Sequence, residues 1–175
     1  IVLDKGTPGA GTAGTATLSV TTTAGVQVIT GTITANADSD GIIIANNDNA
    51  AVNAITFVNN IGTSTKAVGT LTHTDGDVVF SGDVFIKSMI ASSNDLLDLD
   101  GNVTAATALT LNGGNANFAK DVTASTLFNF AGAGSMTFDG AGAQTITGAF
   151  TNATGADDIG DIIVSNTAGT VTFAS

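Results

Sequence analysis

Acid–base chemistry in this chain would have to use His73, in "LTHTDGD", or the aspartates of "DLLDLDGN" (95–102) and "DDIGD" (157–161). A Ser/His/Asp relay needs a nucleophile on a sharp turn, and no Gly-x-Ser-x-Gly elbow occurs anywhere. The Thr-rich surroundings of His73 place it on the outer side of a strand. Paired carboxylates can cleave glycosides. Both acidic stretches read as turns, however, and no arginine stands beside them to hold an anionic polysaccharide. No catalytic residue is expected, and the chain reads as a non-enzymatic protein.

Metal chemistry has one candidate. In "NADSDGIIIANN" (36–47), Asn36, Asp38 and Asp40 alternate and Gly41 follows, as in the first half of a calcium loop. Calcium is the one cofactor this pattern suggests. Position twelve is Asn47 instead of a bidentate glutamate, so an Asx/Gly turn between "TITA" and "IIIA" is the other reading.

Composition narrows the classes further. All 15 acidic residues are Asp, the four basic ones are Lys, and the net charge is −11. No basic face can neutralise phosphates, so nucleic acid is not an expected partner. No apolar run approaches the roughly 18 residues of a membrane helix, so membrane insertion is not expected either. Glu and Arg, both good helix formers, are absent, whereas Thr, Val, Ile and Phe suit a pleated surface and Gly, Asn and Asp suit turns. The chain is expected to be all-β.

A repeat organises it. The step apolar–x–apolar recurs as "ITF" (55–57), "VVF" (78–80), "LDL" (97–99), "ANF" (116–118), "MTF" (136–138) and "VTF" (171–173). Shifting by 19 lays Val103-Thr104-Ala105 on Val122-Thr123-Ala124, Leu109 on Phe128 and Leu111 on Phe130. A unit of this size cannot bury its own apolar face, so units must stack. The expected fold is a right-handed parallel β-solenoid of about 19–20 residues per coil, with eight or nine coils and a length of roughly 40 Å. An antiparallel β-sandwich is the alternative. Residues 25–175 are assigned to the solenoid, and residues 1–24 to a Gly/Ala/Thr-rich cap or linker with one strand, "TLSV".

The units "LDGNVTAATALTLNGGNANFAKDV" and "FAKDVTASTLFNFAGAGSMTFDGAG" resemble passenger repeats of bacterial autotransporter surface proteins, rickettsial outer-membrane antigens in particular. The resemblance covers residues 50–175 and implies an extracellular, cell-surface solenoid with a structural or adhesive role. Its partners would be neighbouring passenger coils, or a host-surface protein or glycan. The alternative is a subunit of a filament, sheath or surface layer that meets copies of itself head to tail. In that case Val171, Phe173 and Ser175 would form the assembly edge, because an open strand edge seeks another strand.

Overall fold

The structure is a computed structural model and describes residues 1–4, 15–23, 25–48, 55–93, 95–152 and 160–174. Among these residues there is no helix, and every pairing between named strands is parallel. The chain winds as a β-solenoid, as the repeat predicts, and not as a sandwich.

Each coil passes through three segments, here called lanes, and the strands are numbered in chain order. The first lane holds β1 (Val2–Leu3), β4 (Thr34–Ala35), a bridge at Ile61, β11 (Val103–Ala105) and β18 (Val171–Ala174). It also takes the leading halves of β9 (Val84–Ala91), β14 (Val122–Phe130) and β16 (Gln144–Asn152). The second lane holds β2 (Thr17–Thr22), β5 (Asp40–Asn47), β7 (Val68–Asp75), β12 (Ala108–Leu111) and the trailing halves of the same three strands. The third lane is a seven-stranded sheet: β3 (Gln27–Ile29), β6 (Ile55–Phe57), β8 (Val78–Phe80), β10 (Leu96–Leu99), β13 (Asn115–Phe118), β15 (Ser135–Phe138) and β17 (Asp161–Val164).

Among the described residues, the seven stacked strands of the third lane are separated by about six turns, fewer than the eight or nine expected. The reason lies in the end coils. Val78, Leu97, Ala116 and Met136 succeed one another at the predicted spacing, but Gln27 pairs with Ile55 and Met136 with Ile162 across longer excursions. The stretch 1–24 supplies β1 and β2, and "TLSV" lies within β2. Residues 5–14 and 24 lie outside the described residues.

Alternation along each strand turns every second residue inward, and parallel in-register stacking converts those residues into columns. In the third lane the column is Ile29, Phe57, Phe80, Leu99, Phe118, Phe138 and Val164. Phe57 and Phe80 stack at 4.6 Å and 3° between planes, and Phe118 and Phe138 at 5.6 Å. The second lane adds Leu18, Ile43, Leu71, Met89, Leu109, Phe128 and Phe150, and the first adds Ile33, Ile61, Val84, Val103, Val122, Ile146 and Phe173. The columns meet in a single core. Each fully buried Leu, Ile or Phe contributes about 1.5–3 kcal/mol of apolar burial, a gain no isolated coil could make.

One element departs from the sequence expectation. "VTF" (171–173) does not continue the series "ITF"–"MTF". It lies in the first lane, where Val171 pairs with Gln144 and Thr172 with Thr145. The true successor of "MTF" is "IIV" (162–164), with Val164 on Phe138. The apolar–x–apolar step marks any inward pair of residues, so it identifies a strand without identifying its lane.

Candidate functional site

Among the described residues, the structure shows what the polar side chains with the most obvious chemistry touch, whereas Asp157 and Asp158 of "DDIGD" lie outside the described residues. At the corner between the third and first lanes, the sequences "GDV" (82–84), "GNV" (101–103) and "KDV" (120–122) lie one above another. Asn60 Oδ1 accepts from the Asp83 N–H at 3.0 Å. Asp83 Oδ1 accepts from both the Asn102 N–H (2.8 Å) and Asn102 Nδ2 (3.0 Å). Asp121 Oδ1 accepts from the Thr145 N–H at 2.7 Å. A backbone donor turned away from the sheet ladder at a corner needs an acceptor, and a side-chain oxygen one coil below supplies it. These carboxylates are structural clamps between coils.

His73 is buried, contrary to the sequence expectation, with no exposed surface. Its phase follows from Leu71: both point inward, while Thr72 does not. Residue type pointed outward, but the two-residue period decides. In its column His73 lies between Ala45 and Ala91, whose small side chains leave room for the ring, and Nε2 donates to Gly76 O at 2.5 Å. Nearby, Asp95 Oδ2 accepts from Ser93 Oγ (2.5 Å) and from the Gly76 N–H (3.0 Å). Serine, histidine and aspartate are therefore neighbours here, yet the serine hydroxyl bonds the aspartate and His73 Nε2 is committed to a carbonyl. The Ser93 hydroxyl, with the Gly76 N–H second, holds the Asp95 carboxyl below the usual carboxylate range.

The sequence expectation at Asn36, Asp38 and Asp40 falls on the turn that leads into β5, whose first residue is Asp40. Asp38 Oδ1 accepts from the Ala67 N–H of the next coil (3.1 Å), Asp40 Oδ2 accepts from the Ala37 N–H (3.1 Å), and the Asn36 N–H donates to Leu3 O (2.8 Å). Ser39 and Gly41 take positive φ of 65° and 79° to close the turn. Among the described residues, no group of three or more His, Cys, Asp or Glu side chains is placed to hold a metal ion.

On the outer face of the third lane, Asp98 lies between Val79 and Asn117. Burial raises its pKa first, and the carboxylates of Asp100 and Asp139 raise it further. A folded pKa above the unfolded one means the charged form destabilises the fold at neutral pH, and that stability is regained as pH falls through the folded pKa. Asp95 has the opposite sign: its contribution is present above the unfolded pKa and is lost as pH falls through the depressed folded one. Asp98→Asn should therefore raise the denaturation midpoint at neutral pH and lose that advantage in acid, whereas Asp95→Asn should lower it at neutral pH. Urea midpoints across pH check both, and a flat response to either variant would contradict the assignment.

The end rung completes the inventory. Phe173 is 48% exposed and meets Phe138 and Phe150 edge-on at 5.7 and 5.8 Å, and Val171 is half-buried beside it. Ser175 lies outside the described residues. Ile162, Ile163 and Val164 of β17 are exposed, as are Val26 and Val28 at the opposite end. No protein family, curated protein or solved structure matches this chain.

Proposed function

We propose that this chain is a non-enzymatic segment of an extracellular, cell-surface β-solenoid with a structural or adhesive role. The observation that carries this reading is the use of its polar side chains. Asn60, Asp83 and Asp121 bind backbone donors of the next coil, so the residues available for chemistry hold the rod together. A stack of coils with apolar columns inside resists bending and spaces whatever it carries from its point of attachment, which is what a stalk requires. The strongly acidic composition supports solubility, and the repeat texture resembles autotransporter passengers. Labelling intact source cells with an antibody to this chain, with and without surface proteolysis, tests the placement. Label lost on proteolysis is expected, and label seen only after lysis would refute it. Polysaccharide hydrolysis or cleavage abolished by Asp98→Asn or Asp100→Asn would refute the non-enzymatic part.

A second reading has its own observation. The exposed β17 and Phe173 at one end, and Val26 and Val28 at the other, suit a subunit that joins copies of itself through open strand edges. Light scattering with electron microscopy at rising concentration distinguishes the two, with single short rods for a stalk and growing filaments for a subunit.

A further inference from the structure

The corner that joins β12 to β13 is Asn112-Gly113-Gly114, and Asn112 is exposed there. Its side chain offers an electrophile, the amide carbon Cγ, beside a nucleophile, the backbone nitrogen of the next residue. Glycine has no Cβ to obstruct their approach, and the reaction within one chain needs no encounter. What else holds the two groups decides whether they meet. The Asn112 N–H is anchored on Ala91 O at 2.7 Å. Among the described residues, neither the Gly113 N–H nor the Asn112 side-chain amide makes a hydrogen bond. Other corners differ. The Gly76 N–H donates to Asp75 and Asp95, and the Gly140 N–H to Gln144 Oε1. After Asn36 the next nitrogen, that of Ala37, donates to Asp40 Oδ2. The amides of Asn59, Asn102 and Asn166 are tied to Thr30 O, Asp83 Oδ1 and Gly142 O.

We propose that Asn112-Gly113 is a self-modification site, at which the chain's own backbone deamidates Asn112. The Gly113 nitrogen gives its proton to hydroxide and bonds to Asn112 Cγ. The Cγ–Nδ2 bond breaks, ammonia leaves with a proton from water, and a succinimide ring closes. Water then opens the ring at either carbonyl carbon. Opening at Cγ gives aspartate on an unchanged main chain. Opening at the Asn112 main-chain carbonyl gives isoaspartate, whose main chain runs through Cβ and Cγ. Either product adds a negative charge to a chain already at −11. Isoaspartate also lengthens the corner, and the corner has no slack. A Cβ on Gly114 would lie 2.8 Å from Ala91 Cβ, and one on Gly134 in the next coil 2.2 Å from Gly114 O. The longer main chain must therefore disturb the in-register pairs of β12 with β14 and of β13 with β10 and β15. No partner takes part, so modified chains accumulate with age in a stalk and in a subunit alike.

Purified chain kept folded at mildly alkaline pH, sampled over time by isoelectric focusing and by peptide mapping with mass spectrometry, tests the site. The expected result is an acidic shift of one charge, with ammonia lost and water gained at Asn112 before Asn117 or Asn166. An isoaspartyl methyltransferase label should fall on the same peptide. Asn112→Gln changes an exposed side chain and should abolish the early shift. A shift that persists in this variant overturns the site, as does an Asn112 that reacts in urea but stays intact in the folded chain. Asn112→Asp carries the charge without the longer main chain, so its urea midpoint should match the native one. The isoaspartate fraction separated from aged chain should unfold at lower urea. Equal midpoints for that fraction and the native chain would overturn the effect on the stack.

Discussion

Truncating Phe80 to alanine is expected to cost about 3–5 kcal/mol of unfolding free energy, read from urea denaturation. Phe80 has no exposed surface, stacks face to face on Phe57 and sits on Leu99 on its other side. Its neighbours are fixed in register by the ladders above and below, so the column cannot slide closed around the missing ring, and both a transfer and a cavity penalty apply. The lesion also falls between coils. In a stacked array each coil is stabilised by its neighbours, so a weakened junction at Phe80 should let the two flanks unfold at different denaturant concentrations and lower the apparent m-value. Phe173→Ala removes the same ring from the half-exposed end of the first lane and should cost only a fraction as much. Equal costs at the two sites would mean that stability does not depend on column position.

How much of this is legible in the sequence depends on which signal carries it. The 19-residue shift yields the pairings Val103–Val122, Leu109–Phe128 and Leu111–Phe130 as the structure has them, because each apolar residue must land on another for a column to close. Where coils lengthen, the signal fails. The excursion from Phe138 to Val164 breaks the count, and the repeat step alone assigns "VTF" to the wrong lane. His73 is misplaced for a different reason, since its polarity outweighs its phase when residue type is read first. The inter-coil clamps are visible only as the turn-like "GDV", "GNV" and "KDV". That an Asp83 oxygen reaches the Asn102 N–H one coil away depends on three-dimensional stacking, which composition cannot express.

Gly101 carries the other large expected effect. It lies on the same corner as the clamps, directly over Gly82, and a Cβ added there would meet Gly82 O at 2.3 Å and its carbonyl carbon at 2.4 Å. Both are backbone atoms of a short corner fixed on either side by β8 and β9, so neither can swing aside as the end of a long side chain could. Gly101→Ala must therefore push adjacent coils apart at the position where Asn102 donates to Asp83. The strain and the weakened clamp together should cost about 1–3 kcal/mol or more. Gly31→Ala supplies the control, because nothing lies within 4 Å of a Cβ at that position. It removes the same flexibility from the unfolded chain and should be neutral or slightly stabilising. Lys120 occupies the matching place one coil higher, in "AKDV", so a side chain is tolerated where the lower neighbour does not crowd it. Close approach between stacked corners, and not backbone conformation, is then what reserves position 101 for glycine. Equal denaturation midpoints for Gly101→Ala and Gly31→Ala would show instead that the corners have slack.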